Sequence, residues 1–133
     1  MTDLSAAASS TPHGDLTIRT LAMPADTNGA GDIFGGWVLS QMDIAGAVAA
    51  VDKVGGRVVT VAIEAMTFIS PVKVGDVLSV YTEIVRIGTT SITISMEAWA
   101  HSAERQNPVK VTEGRFVYVA LDDDGRKRRI VLA

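Results

Sequence analysis

The chain has 133 residues, with 12 Lys and Arg against 15 Asp and Glu, and a formal net charge of −3 at pH 7. This length is typical of one domain, and an apolar fraction of 47% excludes disorder along most of it. The acidic balance argues against a nucleic-acid-binding protein, and the absence of cysteine excludes disulfides, thiolate nucleophiles and cysteine-bound metals. Only 5% of residues are aromatic, which favours a strand-rich protein with one helix of small residues.

The first segment, residues 1–15, has Asp3 where a secretory leader would be basic, and polar residues interrupt its apolar positions. We expect a flexible tail here, followed by one domain over residues 16–133. No stretch reaches the roughly 18 apolar residues that a membrane-spanning helix needs. We therefore expect a soluble protein without a membrane partner. The lack of cysteine fits a reducing cytoplasm, which is the predicted location.

Apolar periodicity and turn-forming residues divide the domain into five strands and one substantial helix. The segment at 16–23 predicts a short strand, and turn formers make 24–36 a loop. The helix is predicted from Gly36 to about Val54, with Gly55-Gly56 as its end. Further strands are predicted at 57–68, 77–87, 90–100 and 109–121.

Short turns between consecutive strands favour an antiparallel sheet, and Gly88 indicates a tight hairpin between the third and fourth strands. One long helix on such a sheet is an α+β two-layer domain. The helix carries few polar residues, so we expect the sheet to curl around it.

The residue that points most directly to chemistry is Asp43, in the stretch WVLSQMDIAGAVAAV. No Lys or Arg lies within a helical turn of it. An unpaired carboxylate is costly to bury, so its presence on a core-facing helix favours a role as general base or nucleophile. The alternative is an ordinary helix acid that faces water or a backbone amide.

Small residues surround Asp43 at helical spacing: Gly36, Ser40, Gly46, Ala47 and Ala50. We predict a cleft over them, with room for a ligand or a second chain. The sheet is expected to pack on the opposite face of the helix, which carries Val38, Met42, Ala45 and Ala49.

The loop that precedes the helix is rich in glycine and ends in Gly35-Gly36. Free amides at a helix N-terminus stabilise an oxyanion, because they lie at the positive end of the helix dipole. Gly36 is seven residues, two helical turns, before Asp43, so the spacing predicts that amide and carboxylate share one side. Such a pair suits attack on an acyl carbonyl. The alternative is a loop that needs glycine only for its turns.

Other catalytic motifs are missing from the sequence. The loop lacks the G-x-G-x-x-G spacing of dinucleotide-binding proteins, and there is no G-x-S-x-G motif. The two histidines, His13 and His101, fall in the tail and in a polar connection, which disfavours a Ser-His-Asp triad and a zinc site. We expect no metal and no cofactor.

Several segments together resemble the bacterial YciA-type acyl-CoA thioesterases of the hotdog fold: TLAMPADTN, GDIFGGW, SQMDIAGA, GRVVTVAIEAMTFISPVKVGD and the GTTSITI hairpin. The resemblance covers about residues 17–130 and implies a curved antiparallel sheet wrapped around one central helix. It implies hydrolysis of acyl-coenzyme A to fatty acid and CoA, with CoA as part of the substrate rather than a cofactor. It also implies an active site between two subunits, in a homodimer or a homohexamer built as a trimer of dimers.

Carried over by motif, the resemblance implies roles for four residues. Asp43 matches the catalytic carboxylate, and Gly35 and Gly36 match the source of the amide that polarises the thioester carbonyl. Asn28 matches an amide side chain that places substrate or water. Nucleophile and general base both stay open for Asp43.

The CoA portion is predicted to contact hydroxyls, amides and one cation at the hairpin and nearby strands: Thr60, Arg86, Gly88, Thr89, Thr90 and Ser91. The alternative for each is an ordinary strand-surface residue. Two positions depart from the family pattern, since Ala30 replaces a frequent Asn and Ser70 replaces a frequent basic residue.

A non-catalytic acyl-CoA-binding or sensing module on the same fold is the alternative function. A dehydratase-like hotdog protein is disfavoured, because its central helix usually carries a histidine and this helix has none. The apolar strands and the small-residue helix face predict self-association. The acidic balance predicts no nucleic-acid partner.

Overall fold

The computed structural model describes residues 11–104 and 107–132. They form one long helix against a five-stranded antiparallel sheet, which confirms the predicted α+β layout. The helix, α1, spans Gly35–Val54. The strands are β1 (Asp15–Leu21), β2 (Val58–Phe68), β3 (Val77–Ile87), β4 (Ser91–His101) and β5 (Val109–Ala120). No helix in this part of the chain has the length and apolarity needed to cross a bilayer.

Both ends of α1 follow from local sequence. A short 3-10 turn at Pro24–Asp26 leads into the glycine-rich loop, and Phe34 precedes the first helical residue. At the other end Gly55 has φ +72°, a left-handed conformation that glycine adopts without steric cost, and its N–H donates to the Val51 carbonyl. The predicted helix end is confirmed, and the start lies one residue before the predicted Gly36.

The sheet order is β1-β3-β4-β5-β2, so β1 and β2 are the two edge strands. The predicted hairpin joins β3 to β4, where the Gly88 N–H donates to the Ser91 carbonyl over 2.7 Å. A bulge in β2 between Glu64 and Thr67 contains Ala65 with φ +53°. One row across the sheet matters for the site: Thr60 on β2 pairs with Tyr118 on β5, which pairs with Ile92 on β4.

The core lies between α1 and the inner face of the sheet. Val38, Met42 and Ala45 of α1 are buried against it, as predicted, and Ala49 packs at its margin. From the sheet, alternate residues such as Ile92 and Ile94 point into this core and are fully buried. The residues between them therefore point to the opposite, outer face.

The predicted tail boundary at residue 15 differs from the structure. β1 begins at Asp15, and Gly14 packs so closely on β3 that an added Cβ would lie 2.6 Å from the Thr82 carbonyl oxygen. The His13 N–H donates to a Glu97 carboxylate oxygen over 3.2 Å. The ordered domain thus includes residues on the N-terminal side of the boundary, while the first ten residues lie outside the described part.

Arg128 caps the C-terminal end of α1. Its Nη2 donates to the Val54 carbonyl over 2.8 Å, and its Nε donates to the Leu121 carbonyl over 3.2 Å. The Val54 carbonyl is one of the helix acceptors that have no partner within the helix, and the guanidinium adds a positive charge at the negative end of the dipole. Gly56 leaves the space that the guanidinium occupies.

Replacing Arg128 with methionine is expected to lower the free energy of unfolding by about 1–2 kcal/mol, because the variant loses charge-assisted hydrogen bonds but keeps an apolar stem. Arg129→Met is the matched control, since that side chain is exposed. Urea titration at one fixed protein concentration measures both variants. Equal losses in the two variants would contradict the capping role.

Candidate active site

Asp43 lies halfway along α1 and is held by two hydroxyl groups from the sheet. Its Oδ1 accepts a hydrogen bond from Thr60 Oγ1 over 2.7 Å and another from the Tyr118 hydroxyl over 3.0 Å. Among the described residues, no cation lies within ion-pair distance of this carboxylate. The half-buried acid that the sequence singled out is therefore paired with neutral donors.

Tyr118 is a member of this cluster that sequence reasoning missed. Burial, and then the neighbouring Asp43 carboxylate, raises the pKa of the Tyr118 phenol well above its usual range, so the phenol stays protonated and can donate. The sequence did contain a signal. Tyr118 alternates with the core residues Phe116 and Ala120, and a tyrosine at an inward position needs a polar partner.

Part of the predicted cleft beside Asp43 is filled by the protein's own core. Gly46 and Ala50 are buried, and a Cβ on Gly46 would lie only 2.1 Å from the Tyr118 hydroxyl oxygen. The prediction that these two residues border an open cleft is wrong, because the tyrosine side chain occupies the space over Gly46. The open side of α1 instead carries the exposed Ser40 and the half-buried Ala47.

The N-terminus of α1 presents free backbone amides. Trp37 and Val38 donate to the Phe34 carbonyl, whereas the Gly35 and Gly36 amides donate to no acceptor in the described part of the chain. The Phe68 ring packs 3.4 Å from the position that a Gly35 Cβ would take, and Gly36 has open space beside it. These amides can polarise a carbonyl oxygen placed at the helix end.

Asn28 organises the loop before α1. Its side-chain oxygen accepts hydrogen bonds from the Ala30 and Asp32 amides, over 2.9 Å and 3.1 Å, and its own N–H donates to the Asp32 carbonyl. Ala30 takes part in these hydrogen bonds through its backbone N–H and not through its side chain. Because the carboxamide oxygen is occupied, only the Asn28 NH₂ group can contact a substrate or a water molecule.

Two of the predicted catalytic residues share a cavity of about 380 Å³ at the N-terminus of α1. Its lining includes Asn28 and Gly35, together with Phe68 and Ser70, the position where the family frequently has a basic residue. Asp43 and Thr60 do not line this cavity. A single chain therefore holds the predicted site as two separate parts, one around Asp43 and one around Asn28 and Gly35.

The predicted CoA-binding residues divide between the two faces of the sheet. Thr60 lies beside Asp43 on the inner face. Arg86 and Ser91 line a depression of about 450 Å³ on the outer face, together with Arg115, which sequence reasoning also missed. A bulge between Ile84 and Arg86 shifts the register here.

The turn that joins β3 to β4 is held by its own backbone and by the C-terminal segment. The Thr90 carbonyl accepts from the Ala120 amide, and the Thr89 carbonyl accepts from the Ile130 amide. The Gly88, Thr89 and Thr90 contacts with CoA stay predictions. No group of three or more His, Cys, Asp or Glu side chains arranged to hold a metal occurs within residues 11–104 and 107–132.

Comparison with known proteins finds relatives over most of the chain. The model of the thioesterase superfamily matches residues 30–105. The acyl-CoA thioester hydrolase YciA of Salmonella typhimurium is 55% identical over 122 residues, which cover 89% of this chain and 91% of that protein.

Two solved structures share the fold. A hexameric thioesterase of Yersinia pestis is 51% identical with a TM-score of 0.87, covering 91% of this chain and 99% of its own. A hexameric hotdog-fold thioesterase of Campylobacter jejuni is 41% identical with a TM-score of 0.84, covering 89% of this chain and 91% of its own. With an aspartate on a central helix, free amides at the start of that helix and these relatives over nearly the whole domain, the chain belongs to the thioesterase superfamily, in its hotdog-fold YciA group.

Proposed function

We propose that this protein hydrolyses the thioester of acyl-coenzyme A, giving a free fatty acid and CoA. The observation that carries the proposal is the Asp43 carboxylate, held by two neutral hydroxyls on a helix whose first amides are free. Its relatives of 53–55% identity are named acyl-CoA thioester hydrolases, which supports the substrate class.

Asp43 supplies the base or the nucleophile, and the Gly35 or Gly36 amide supplies charge stabilisation. With water as nucleophile, the carboxylate takes a proton from water, and the oxygen attacks the carbonyl carbon while the amide holds the developing oxyanion. The C–S bond then breaks and the CoA thiolate takes up the proton. With the carboxylate as nucleophile, Asp43 attacks the carbonyl carbon, the C–S bond breaks and CoA leaves as the thiolate, which gives a mixed anhydride. Water then cleaves the anhydride, releases the fatty acid, restores the Asp43 carboxylate and supplies the proton that the thiolate takes up. Both routes balance without a metal or a redox cofactor.

We propose that the site is completed between two subunits. Gly36 and Asp43 are seven residues apart, which is about 10.5 Å along a helix axis. An amide on the carbonyl oxygen and a carboxylate attacking the carbonyl carbon lie only about 7 Å apart. One helix therefore does not bring this pair together for direct attack, whereas the helix of a second subunit can supply the missing partner.

Exposed apolar surface supports a dimer. The edge strand β2 exposes apolar side chains, and α1, which meets β2 at Asp43, exposes others. Together they form the interface surface: Val59, Val61, Ile63, Ile44, Val48 and Val51. A free strand edge beside apolar side chains favours pairing with a second copy. Because both solved relatives are hexameric, we propose a hexamer built from such dimers.

Replacing Val61 with lysine is expected to shift the protein towards smaller species, because it places a charge in the interface surface where Val61 is 53% exposed in the single chain. Sedimentation velocity at micromolar concentration measures the shift. Val131→Lys is the matched control, since Val131 is 73% exposed and lies outside every strand. An unchanged sedimentation coefficient for the Val61 variant would contradict the proposed interface.

The proposed activity is tested by thiol trapping with short-, medium- and long-chain acyl-CoAs. Repeated turnover, with release of free CoA in excess of enzyme, is the expected result. A non-catalytic binding module would bind CoA in calorimetry and release none. That outcome would contradict the proposed function.

The CoA-binding role of Arg86 and the hairpin stays a prediction. Arg86 and Ser91 lie on the outer face of the sheet. A substrate whose thioester lies at Asp43 therefore reaches them around the hairpin end or from a neighbouring subunit. Arg86 and Arg115 supply two guanidinium groups of the kind that bind phosphates.

A further inference from the structure

The two oxygens of the Asp43 carboxylate have different surroundings, because both hydrogen bonds from the sheet go to Oδ1. Tyr118 reaches Asp43 from β5, which is separated from α1 by more than fifty residues of sequence. The tyrosine is fully buried, so its hydroxyl group needs a hydrogen-bond partner inside the protein. It has two acceptors at 3.0 Å, Asp43 Oδ1 and the Asp43 backbone carbonyl oxygen.

We propose that Tyr118 is a positioning residue for Asp43, and that it leaves Oδ2 as the oxygen that reacts. The inference rests on the proposed role of Asp43 in thioester hydrolysis. Oδ1 accepts from both Thr60 and Tyr118, whereas Oδ2 accepts from no donor in the described part of the chain. Two donors on one oxygen fix the rotation of the carboxylate and direct the other oxygen away from the sheet.

Gly46 makes this contact geometrically available. A Cβ at position 46 would lie 2.1 Å from the tyrosine hydroxyl oxygen, 2.7 Å from the Met96 methyl carbon and 2.8 Å from the ring carbon that bears the hydroxyl. No side chain fits there unless the tyrosine moves. Gly46 lies about one turn after Asp43 on the same side of α1. Because it has no side chain, the Tyr118 ring packs directly over the helix backbone there and its hydroxyl group reaches the Asp43 carboxylate.

The electrostatic environment keeps Tyr118 a donor. Burial and the charge of Asp43 hold the pKa of the phenol far above the neutral range. A neutral phenol donates one hydrogen bond, and the charged carboxylate is a stronger acceptor than a peptide carbonyl. This bond holds in place the carboxylate that takes a proton from water or attacks carbon.

Tyr118→Phe is the direct test, because it removes the hydroxyl oxygen and keeps the ring in the core. We expect kcat to fall about 10- to 100-fold, the effect of losing a hydrogen bond to a charged group, with KM within about twofold of the original value. A defect in substrate binding would raise KM, so a loss confined to kcat identifies an effect on the reacting carboxylate.

Tyr81→Phe is the matched control. It is the only other tyrosine in the sequence, and it lies on β3 with no hydrogen bond from its hydroxyl group to any described residue. We expect its kcat and KM to match those of the original protein, and circular dichroism melts show whether each variant is folded.

Asp43→Asn separates the inference from the function on which it rests. An inactive Asp43→Asn variant, together with an unchanged kcat in a folded Tyr118→Phe variant, would overturn the positioning role alone. Near-normal turnover by Asp43→Asn would overturn the catalytic role of Asp43, and the role of Tyr118 with it.

Discussion

Asp43→Asn is expected to lower kcat about 10²- to 10⁴-fold while the protein stays folded, assembled and able to bind CoA. An amide takes no proton from water and is a poor nucleophile, so the variant loses the base contribution to the rate. The side-chain oxygen of asparagine still accepts hydrogen bonds from the Thr60 and Tyr118 hydroxyls, so the contacts that orient the residue persist. Thiol trapping at saturating acyl-CoA measures kcat, and calorimetry with CoA measures binding.

Asp52→Asn provides the control for this experiment. Asp52 lies on the same helix, is exposed and makes no hydrogen bond or ion pair within the described ranges, so the same chemical change there is expected to leave turnover unaltered. Near-normal hydrolysis by Asp43→Asn would contradict the catalytic role of the Asp43 carboxylate. A comparable loss in both variants would point to a general effect of charge on the helix instead.

The layout of elements was predictable because it depends on local patterns. Gly55 ends α1, as its position predicted, and a strand forms where the pattern at 90–100 predicted one, with Ile92 and Ile94 in the core. Asp43 was also visible from the sequence, since an acid in an apolar helix is energetically unusual wherever the sheet lies.

What the sequence did not reveal depends on contacts between distant segments. The Tyr118 hydroxyl meets Asp43 across 75 positions, and Arg128 meets Val54 across 74, so no local spacing indicates either contact. Gly46 was assigned to an open cleft for the same reason: a glycine that makes room for a ligand and one that makes room for Tyr118 look alike in sequence. The face on which Arg86 lies depends on a bulge, which is a property of the paired strands.

Removing one backbone amide at the start of α1 is expected to be nearly as damaging as removing the carboxylate. Gly36→Pro deletes an N–H that makes no hydrogen bond within the described structure, and the first turn of a helix tolerates proline. We expect kcat to fall about 10²- to 10³-fold if this amide holds the oxyanion. Gly36→Ala is the control, because it keeps the amide and its Cβ would meet nothing within 4 Å. Full activity in the proline variant would contradict the role of this amide.

The two inactive variants together test whether the site is shared. If the amide of one subunit and the carboxylate of its partner act on one thioester, a dimer of one Gly36→Pro subunit and one Asp43→Asn subunit has one doubly defective site and one intact site. Co-expressed with different affinity tags and randomly paired, the two inactive chains are expected to regain about a quarter of the original activity, since half of the dimers are mixed and each has one good site of two. If both groups came from one chain, every site in the mixed dimer would carry a defect and activity would stay at the level of the parents. We expect activity to be regained because two turns of a rigid helix separate Gly36 from Asp43, too far for both to act on one thioester by direct attack. If no activity were regained, a water molecule would have to bridge the distance between the amide and the carboxylate within one subunit.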